Sequence, residues 1–541
     1  MNQNLLKSFA ILTAGMGAFS CTSTSQKEVQ KPNIIYIMSD DHAYQAISAY
    51  DSNPATRVSG LIKTPNIDRI GNEGMLFKDC FVTNSLCSPS RAVILSGMYS
   101  HLTGARDNSF SMRLDSSVVT FPMLLQKAGY QTAIVGKWHL LNRPKGFDYS
   151  SILIDQGQYY NPDFITNGDT VREQGYATNI TMDKALNWLS AMRDKDKPFC
   201  LMIHNKAPHR NWLPDTADLN EFTDDLPLPA TLYDDYSGRG SAAHEQMMEI
   251  GKNLHLPSDL KVNASGKNPK GHWLIDEFQR MDSAQRNTLI RFYAKEDARV
   301  DTTKMTRKEF VAWKYQRYIK DYLRCIHSVD RNVGRLLRYL EEEGLLDNTV
   351  IVYTSDQGFY LGEHGWFDKR FMYEQSLKTP LLIRYPAMIK AGTVSDAMVM
   401  NLDFAPTFLE LAGIKKPGNM QGVSLLPLFG GKTPDDWRKA IYYHYYEYPG
   451  WHAVKRHYGI RTQRYKLIRF YYDIDEWELY DLKKDSNEMH NVYNEPEYKQ
   501  VRDSLTLQLR LLQKKYGDSD SLAEKILEHD KPMFKRFKNI F

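Results

Sequence analysis

Two pairs of residues open the case for chemistry: Asp40-Asp41 and Asp356-Gln357. Together they offer only oxygen donors, the set that a hard cation such as Ca²⁺ takes and a soft metal does not. Either pair alone could equally cap a following helix; two pairs behind two strands favour a metal. A third feature is Cys87-Ser88-Pro89-Ser90-Arg91. Pro89 suits the first turn of a helix running through Ala92 to about Ser96. That puts Cys87 at a helix N-terminus, where backbone N–H groups and the dipole favour an anion. A buried cysteine ahead of a helix is the plainer alternative.

These residues need elements that bring them together. Four short apolar runs can do it: Asn33–Met38, Thr132–Val135, Phe199–Ile203 and Val350–Tyr353. Each is β-rich and continuous rather than alternating, as strands buried on both faces are. Amphipathic stretches such as Phe121–Ala128 and Ala185–Met192 lie between them, giving an α/β chain with helices on both faces of a mixed or parallel sheet. The residues after each run are Ser39-Asp40-Asp41-His42, Gly136-Lys137-Trp138-His139, His204 to His209, and Thr354 to Gly358. Ligand sites in such sheets lie at the carboxyl ends of the strands, so these four ends define one expected site.

The remaining chain sets limits. At 541 residues it is long enough for one large core and a second domain. A net charge of +4, spread over the chain, does not argue for nucleic acid, and no nucleic-acid partner is expected. Residues 1–20 read as a signal peptide of lipoprotein type: Lys7, an apolar run from Phe9 to Phe19 too short to span a bilayer, then Ser20-Cys21. Cys21 would carry the lipid, residues 21–31 would form a tether, and the anchor would be the only membrane contact; plain secretion is the alternative. The other cysteines, Cys80, Cys87, Cys200 and Cys325, require no disulfide. Residues 32–436 read as the catalytic domain, with a helical insertion at 234–320, and 437–541 as a smaller C-terminal α+β subdomain. In the latter, Ile441–Tyr446, Tyr465–Phe470 and Trp477–Tyr480 are strand-like and a final helix falls near Glu497–Tyr516.

The run from Cys87 to Arg91, continuing to Ser96-Gly97 and Leu102-Thr103-Gly104, resembles the signature of the type I sulfatases. Thr64 to Asp68, Gly74 to Phe77, Gly136 to His139, Lys206 to His209, Asp403 to Thr407 and Glu478 to Leu482 match the family in order. The resemblance implies an alkaline-phosphatase-like fold, and a maturation enzyme that oxidises Cys87 to formylglycine. It implies Ca²⁺ held by Asp40, Asp41, Asp356, Gln357 and residue 87, with Gln357 standing where the family often has Asn. Arg91 would stabilise the formylglycine, Lys137 and Lys369 would contact the sulfate, His139 would bond the formylglycine diol and act as base, and His209 would protonate the leaving alcohol. One hydroxyl of the hydrated aldehyde would attack sulfur and the other would lose its proton to release sulfate.

For the alcohol, Ser355 to Arg370 and Tyr443 to Pro449 resemble bacterial N-acetylglucosamine-6-sulfatases; Gln156 to Pro162 and Lys455 to Gly459 do so less specifically. This implies a 6-O-sulfated N-acetylglucosamine in a glycosaminoglycan such as heparan sulfate, or in mucin, and an exported enzyme at the periplasm or cell surface. His457, Arg461 and Trp212 are candidate sugar contacts, and Asp368 and Arg370 flank Lys369. The competing readings are a sulfatase for 2-sulfated uronate or galactosamine sulfate, a phosphate or phosphonate monoester hydrolase, and a non-catalytic glycan-binding lipoprotein.

Overall fold

The computed structural model describes residues 31–50, 62–264 and 272–537. The lipoprotein reading of 1–20, Cys21 and nearly all of the tether lies outside them. Pro32–Phe541 forms one compact unit.

Its centre is an eleven-stranded mixed sheet. The four apolar runs become Asn33–Ser39, Gln131–Lys137, Phe199–Asn205 and Thr349–Ser355. They lie in the spatial order Thr349–Ser355, Asn33–Ser39, Phe199–Asn205, Gln131–Lys137, all parallel, and Tyr149–Leu153 continues the parallel set. On the other side, Lys378–Arg384 pairs antiparallel with Thr349–Ser355 and with Met75–Phe81, which makes the sheet mixed.

Successive side chains of a strand point to opposite faces, and the core divides accordingly. Ile35, Ile37, Val135, Leu201, Ile203 and Ile351 join a cluster with the long helix Arg307–Glu342. Ile34, Tyr36, Met38, Ile134, Met202 and Val352 join another with helices Cys87–Ser96, Phe121–Lys127 and Phe404–Leu411. Both faces are covered, which is why these strands read as continuous apolar runs.

Three expectations need adjustment. The stretch expected as a helix over Ala185–Met192 is the end of helix Ala177–Asn187 followed by a π turn, Trp188–Met192. Among the described residues, 234–320 carries the helices Ser241–Glu245, Ile250–Asn253, His272–Arg280 and Ser283–Asp297, joined by turns. Its expected end at 320 falls inside helix Arg307–Glu342, whose Leu323, Ile326, Val329 and Val333 pack on the main sheet. The C-terminal part carries a four-stranded antiparallel sheet in the order Ala440–Tyr445, His457–Thr462, Tyr465–Phe470, Glu476–Asp481, followed by helix Lys499–Tyr516. It shares one core with the main body: Phe81, Val82, Trp366 and Phe371 cluster with Ile460, Leu467 and Phe470. The boundary at 436 therefore separates two sheets without separating two cores.

Candidate active site

The four strand ends converge as their sequence implies. Asp40 and Asp41 follow Asn33–Ser39, Asp356 and Gln357 follow Thr349–Ser355, Lys137 ends Gln131–Lys137, and His209 lies in the loop after Phe199–Asn205. Cys87 is the first residue of helix Cys87–Ser96, which closes with Gly97 in the left-handed region at φ 64°. The helix is buried along its whole length.

Asp40, Asp41 and Asp356 bring carboxylate oxygens within 4.8 Å of one another, and Asp40, Cys87 and His209 form a second such group. All three carboxylates are fully buried. Burial pushes the Asp41 carboxyl up to about 7; Lys369 opposes the rise, and the like charges of Asp40 and Asp356 add to it. Burial and the Asp40 charge push Asp356 up to about 6 against the pull of Arg91. Burial works against ionising Asp40 too, but Lys137, His209, Arg91 and Lys369 outweigh it and hold this carboxyl well below its ordinary range.

Three cations answer the three carboxylates. Lys137 Nζ donates to Asp40. Lys369 Nζ donates to both Asp41 oxygens, at 2.6 and 2.7 Å. Arg91 donates Nε and Nη2 to Asp356 Oδ2 at 3.1 and 2.9 Å, and its Nη1 to the Lys137 carbonyl at 2.7 Å. A planar fork can hold a carboxylate and a backbone carbonyl at once, which an ammonium cannot do as rigidly. The Gln357 amide nitrogen donates to Asp41, while its Oε1 is buried with no partner. An orphaned carbonyl oxygen among three crowded carboxylates is the donor set a hard divalent cation satisfies, so these residues fit a metal of that class.

Cys87 is fully buried, with Sγ 3.3 Å from Asp40 Oδ1. Burial, then the Asp40 charge, pushes its thiol far above the ordinary range despite Lys369 and Lys137. As a plain cysteine it holds its proton and is not a thiolate nucleophile. Cys80, Cys200 and Cys325 are also buried free thiols.

Two imidazoles, His209 and His139, border the cluster. His209 Nδ1 faces the Arg210 carbonyl at 2.7 Å and so carries a hydrogen; Nε2 points inward, 3.7 Å from Asp41 Oδ2. His139 has φ 54°, which turns its ring back to the site, with Nδ1 3.4 Å from Ser88 Oγ. Burial, then the Lys137 charge, holds both rings well below their ordinary range, so both are neutral near pH 7.

The structure brings ten of the expected residues together: Cys87, Arg91, Lys137, His139, His209, Lys369, Asp40, Asp41, Asp356 and Gln357. It does not bring the other three. Trp212 is fully buried against Tyr318, Phe359 and Phe367, leaving no face for a sugar ring. His457 is fully buried in a strand, bonded to the Met372 N–H and the Lys455 carbonyl. Arg461, in the same strand, forks onto Glu374 at 3.2 and 3.0 Å. All three are structural. His457 and Arg461 both belong to the strand His457–Thr462, whose Gly459 and polar flanks give it no alternating period in the sequence.

Asp368 and Arg370, noted beside Lys369 in the sequence, lie next to the site, and so do Gln156 and His452, which had little or no individual signal. Gln156 touches both Lys137 and His139. His452 Nε2 lies 3.4 Å from Asp368 Oδ2, and Asp368 pairs with Arg370 at 3.0 Å. Arg370 also pairs with Glu447. Positive φ at Asp368 (76°), Arg370 (98°) and His452 (69°) sets these turns, and no simple spacing announces them.

A buried cysteine at a helix N-terminus, an acid cluster that fits a hard cation and two lysines are the parts a hydrolase for anionic esters needs. Family comparison specifies the class: the family described as Sulfatase matches residues 32–414, and the C-terminal part described as N-sulphoglucosamine sulphohydrolase, C-terminal, matches 362–515. The chain belongs to the sulfatase family. It is 52% identical over 515 residues to an N-acetylglucosamine-6-O-sulfatase of Bacteroides thetaiotaomicron, covering 94% of this chain and 90% of that one. It is 28% identical over 461 residues to the Homo sapiens N-acetylglucosamine-6-sulfatase, covering 80% and 70% of the two chains. A solved structure in complex with its substrate, D-glucosamine-2-N,6-O-disulfate, superposes with TM-score 0.86 at 52% identity, over 91% of this chain and 99% of that one.

Proposed function

We propose that this sulfatase removes the 6-O-sulfate of a glucosamine unit in a glycosaminoglycan or mucin glycan. The observation that supports it best is the pairing of a complete anion-ester site with 52% identity to a protein named for that reaction, over 94% of the chain.

In this reading residue 87 works as formylglycine, which a maturation enzyme makes from the cysteine. The modified residue supplies a hydroxyl nucleophile that a buried, protonated thiol does not. The metal is Ca²⁺, held by Asp40, Asp41, Asp356 and Gln357; when bound it supplies fixed positive charge beside the ester. Lys137 and Lys369 hold the sulfate oxygens by charge-assisted hydrogen bonds. Arg91 fixes Asp356 and the end of the Lys137 strand, so the cations keep their places while charge shifts. His209 offers Nε2 to the leaving oxygen. An anionic ester beside that ring favours its charged form, so substrate binding equips it to donate a proton. His139 takes up a proton from residue 87 as sulfate departs. The sugar hydroxyls are assigned to the group made by Asp368, Arg370 and His452. Among the described residues no helix is long and apolar enough to cross a membrane; export and lipid attachment at Cys21 complete the proposal.

The test is sulfate release from a defined panel by protein made with and without a maturation enzyme, with calcium present. The panel holds N-acetylglucosamine-6-sulfate, N-sulfated glucosamine-6-sulfate, galactosamine 4- and 6-sulfates, a 2-sulfated uronate disaccharide and an aryl phosphate. Release confined to the glucosamine 6-sulfates, dependent on maturation and lost in Cys87→Ala, is the expected result. Release from another position alone, or equal turnover of the phosphate, refutes the substrate assignment.

A further inference from the structure

Gln156 sits where two functional groups meet, and the chemistry of its neighbours fixes which way its amide points. Its Oε1 lies 2.5 Å from Lys137 Nζ, and its Nε2 lies 2.8 Å from His139 Nε2. An ammonium has hydrogens and no lone pair, so the amide oxygen must face Lys137. The NH₂ group must then face His139, and a donor there requires a lone pair on His139 Nε2. The ring hydrogen is therefore on Nδ1, which looks at Ser88 Oγ at 3.4 Å. Ser88 completes the sense of the chain: its hydroxyl hydrogen goes to the His139 carbonyl at 2.5 Å, leaving an oxygen lone pair for Nδ1–H. Every group in the series from Lys137 through Gln156 and His139 to Ser88 is used in one direction, and reversing the amide would break two contacts at once.

We propose that Gln156 is a positioning residue: it holds His139 neutral with its hydrogen on Nδ1 and ties that imidazole to the sulfate-binding Lys137. This deepens the proposed sulfatase reading and rests on it for the role of His139. Gln156 touches its two partners through side-chain atoms and is itself held through its carbonyl, which accepts from Lys206 Nζ at 3.2 Å. The amide thus sits on a loop anchored by a third cation, half-buried at the edge of the site. The charged groups around the His139 ring are Lys137 at the end of the strand before it, Asp40 just past the first strand, Arg91 from the Cys87 helix, Lys369 from its loop, and the exposed Asp155 at 3.8 Å. Of these only Asp155 and Asp40 would welcome a proton on the ring. Gln156 adds a donor against it, so Nε2 stays unprotonated in the resting site, and the amide must release that lone pair before His139 takes the proton of residue 87.

The experiment uses the matured, calcium-loaded protein as wild type, Gln156→Ala, Gln156→Asn and Gln156→Glu. The first readout is the ¹⁵N spectrum of histidine-labelled protein, with His139 identified by its loss in His139→Gln. The expected wild-type signature is an unprotonated Nε2 and a protonated Nδ1 near neutral pH. The second readout is kcat and KM against pH on a glucosamine 6-sulfate. Gln156→Ala is expected to lower kcat about 10–100-fold, as loss of an outer hydrogen-bond partner typically does. Gln156→Asn, one methylene short, should not restore it. Gln156→Glu replaces a donor with a charged acceptor, so the acid limb of the profile should move up by about 1 to 3 pH units. A purely structural role would lower melting temperature and kcat together without moving that limb. The proposal fails if wild-type Nε2 is protonated at neutral pH, or if a folded Gln156→Ala keeps the wild-type profile. If the wild type cleaves no sulfate ester, the sulfatase reading fails, and the spectrum still decides the tautomer.

Discussion

Gly136 is where fold and site meet most tightly, and replacing it with alanine is a severe local test. Its φ is 99°, a region that L side chains rarely adopt. A Cβ built there lies 2.0 Å from the His204 carbonyl oxygen and 3.0 Å from Thr181 Cγ2. The oxygen belongs to the neighbouring strand, paired in register with Gly136, so it cannot rotate away as a side chain would. Backbone strain of this kind costs ~1–3 kcal/mol, and overpacking a close-packed interior costs another ~1–3 kcal/mol. Gly136→Ala should therefore lose about 2–6 kcal/mol if the two add. Gly129 separates them: its φ is 88°, but a Cβ there meets nothing within 4 Å. Gly129→Ala should lose only the first part. The functional effect follows from the next residue. The Lys137 carbonyl accepts from Arg91 Nη1 at 2.7 Å and lies 3.0 Å from His204 Nδ1. Moving the strand by even 1 Å displaces Lys137 and Arg91 together, and misplacement on that scale costs about 10²-fold in rate. Urea unfolding of both variants, with sulfate release under native conditions, is the assay. A Gly136→Ala protein within about 0.5 kcal/mol of wild type, or one no less stable than Gly129→Ala, would refute the reasoning.

Two further outcomes follow. Trp212→Ala empties a fully buried aromatic site and should cost ~3–5 kcal/mol of stability while leaving KM of the folded fraction unchanged; raised KM at unchanged stability would return Trp212 to the sugar site. Asp41 at about 7 and Asp356 at about 6 keep protons in the metal-free fold that the unfolded chain has lost above about pH 4. Their contribution to metal-free stability is thus complete at low pH and is lost as pH rises through 6 and 7. A cation must displace those protons, so calorimetry in buffers of different ionisation enthalpy should show proton release on calcium binding at pH 6 and little at pH 8. Equal release at both pH values would remove the acid cluster from the metal site.

How far the sequence could be read depended on whether a residue's role is set locally. The four central strands were legible because burial on both faces leaves a continuous apolar run, and their carboxyl ends are the place where α/β sheets bind ligands. Asp40, Asp356 and Lys137 are therefore legible together, at strand ends on one side of the sheet, where each acid pair taken singly reads as a helix cap. Cys87 was legible through Pro89 and the helix start. Trp212, His457 and Arg461 misled because residue type says what a side chain can do and not which way the chain turns. Trp212 follows His209 by three residues, yet the loop carries it into the core beneath Tyr318 and Phe359. Gln156 had no local signal beyond a motif, because its role exists only once two strands and a loop have converged. The end of the helical region at 320 was hidden for the opposite reason: helix Arg307–Glu342 is exposed at its start and buried later, so its composition changes while its conformation does not.

The charge arrangement explains why the site needs so many partners for one ester. Asp40, Asp41 and Asp356 carry three negative charges when ionised; Lys137, Lys369 and Arg91 carry three positive charges, and all six are buried. Balanced in this way, the group can be taken out of water, whereas any member left alone would carry a large desolvation penalty. The balance is also what leaves room for chemistry. Arg91 is committed through its fork to Asp356 and the backbone, so it holds the frame. Lys369 rests on Asp41, and Lys137 on Asp40 and the Gln156 amide oxygen, each through a single flexible ammonium; in the proposed reaction that ammonium turns to a sulfate oxygen without moving the backbone. A carboxylate set that also suits a divalent cation gives those ammonium groups an alternative to their resting partners. In the proposed reaction the rigid arginine keeps the frame and the mobile lysines take the sulfate. This predicts that Arg91 substitutions damage folding and turnover together, while lysine substitutions fall chiefly on turnover.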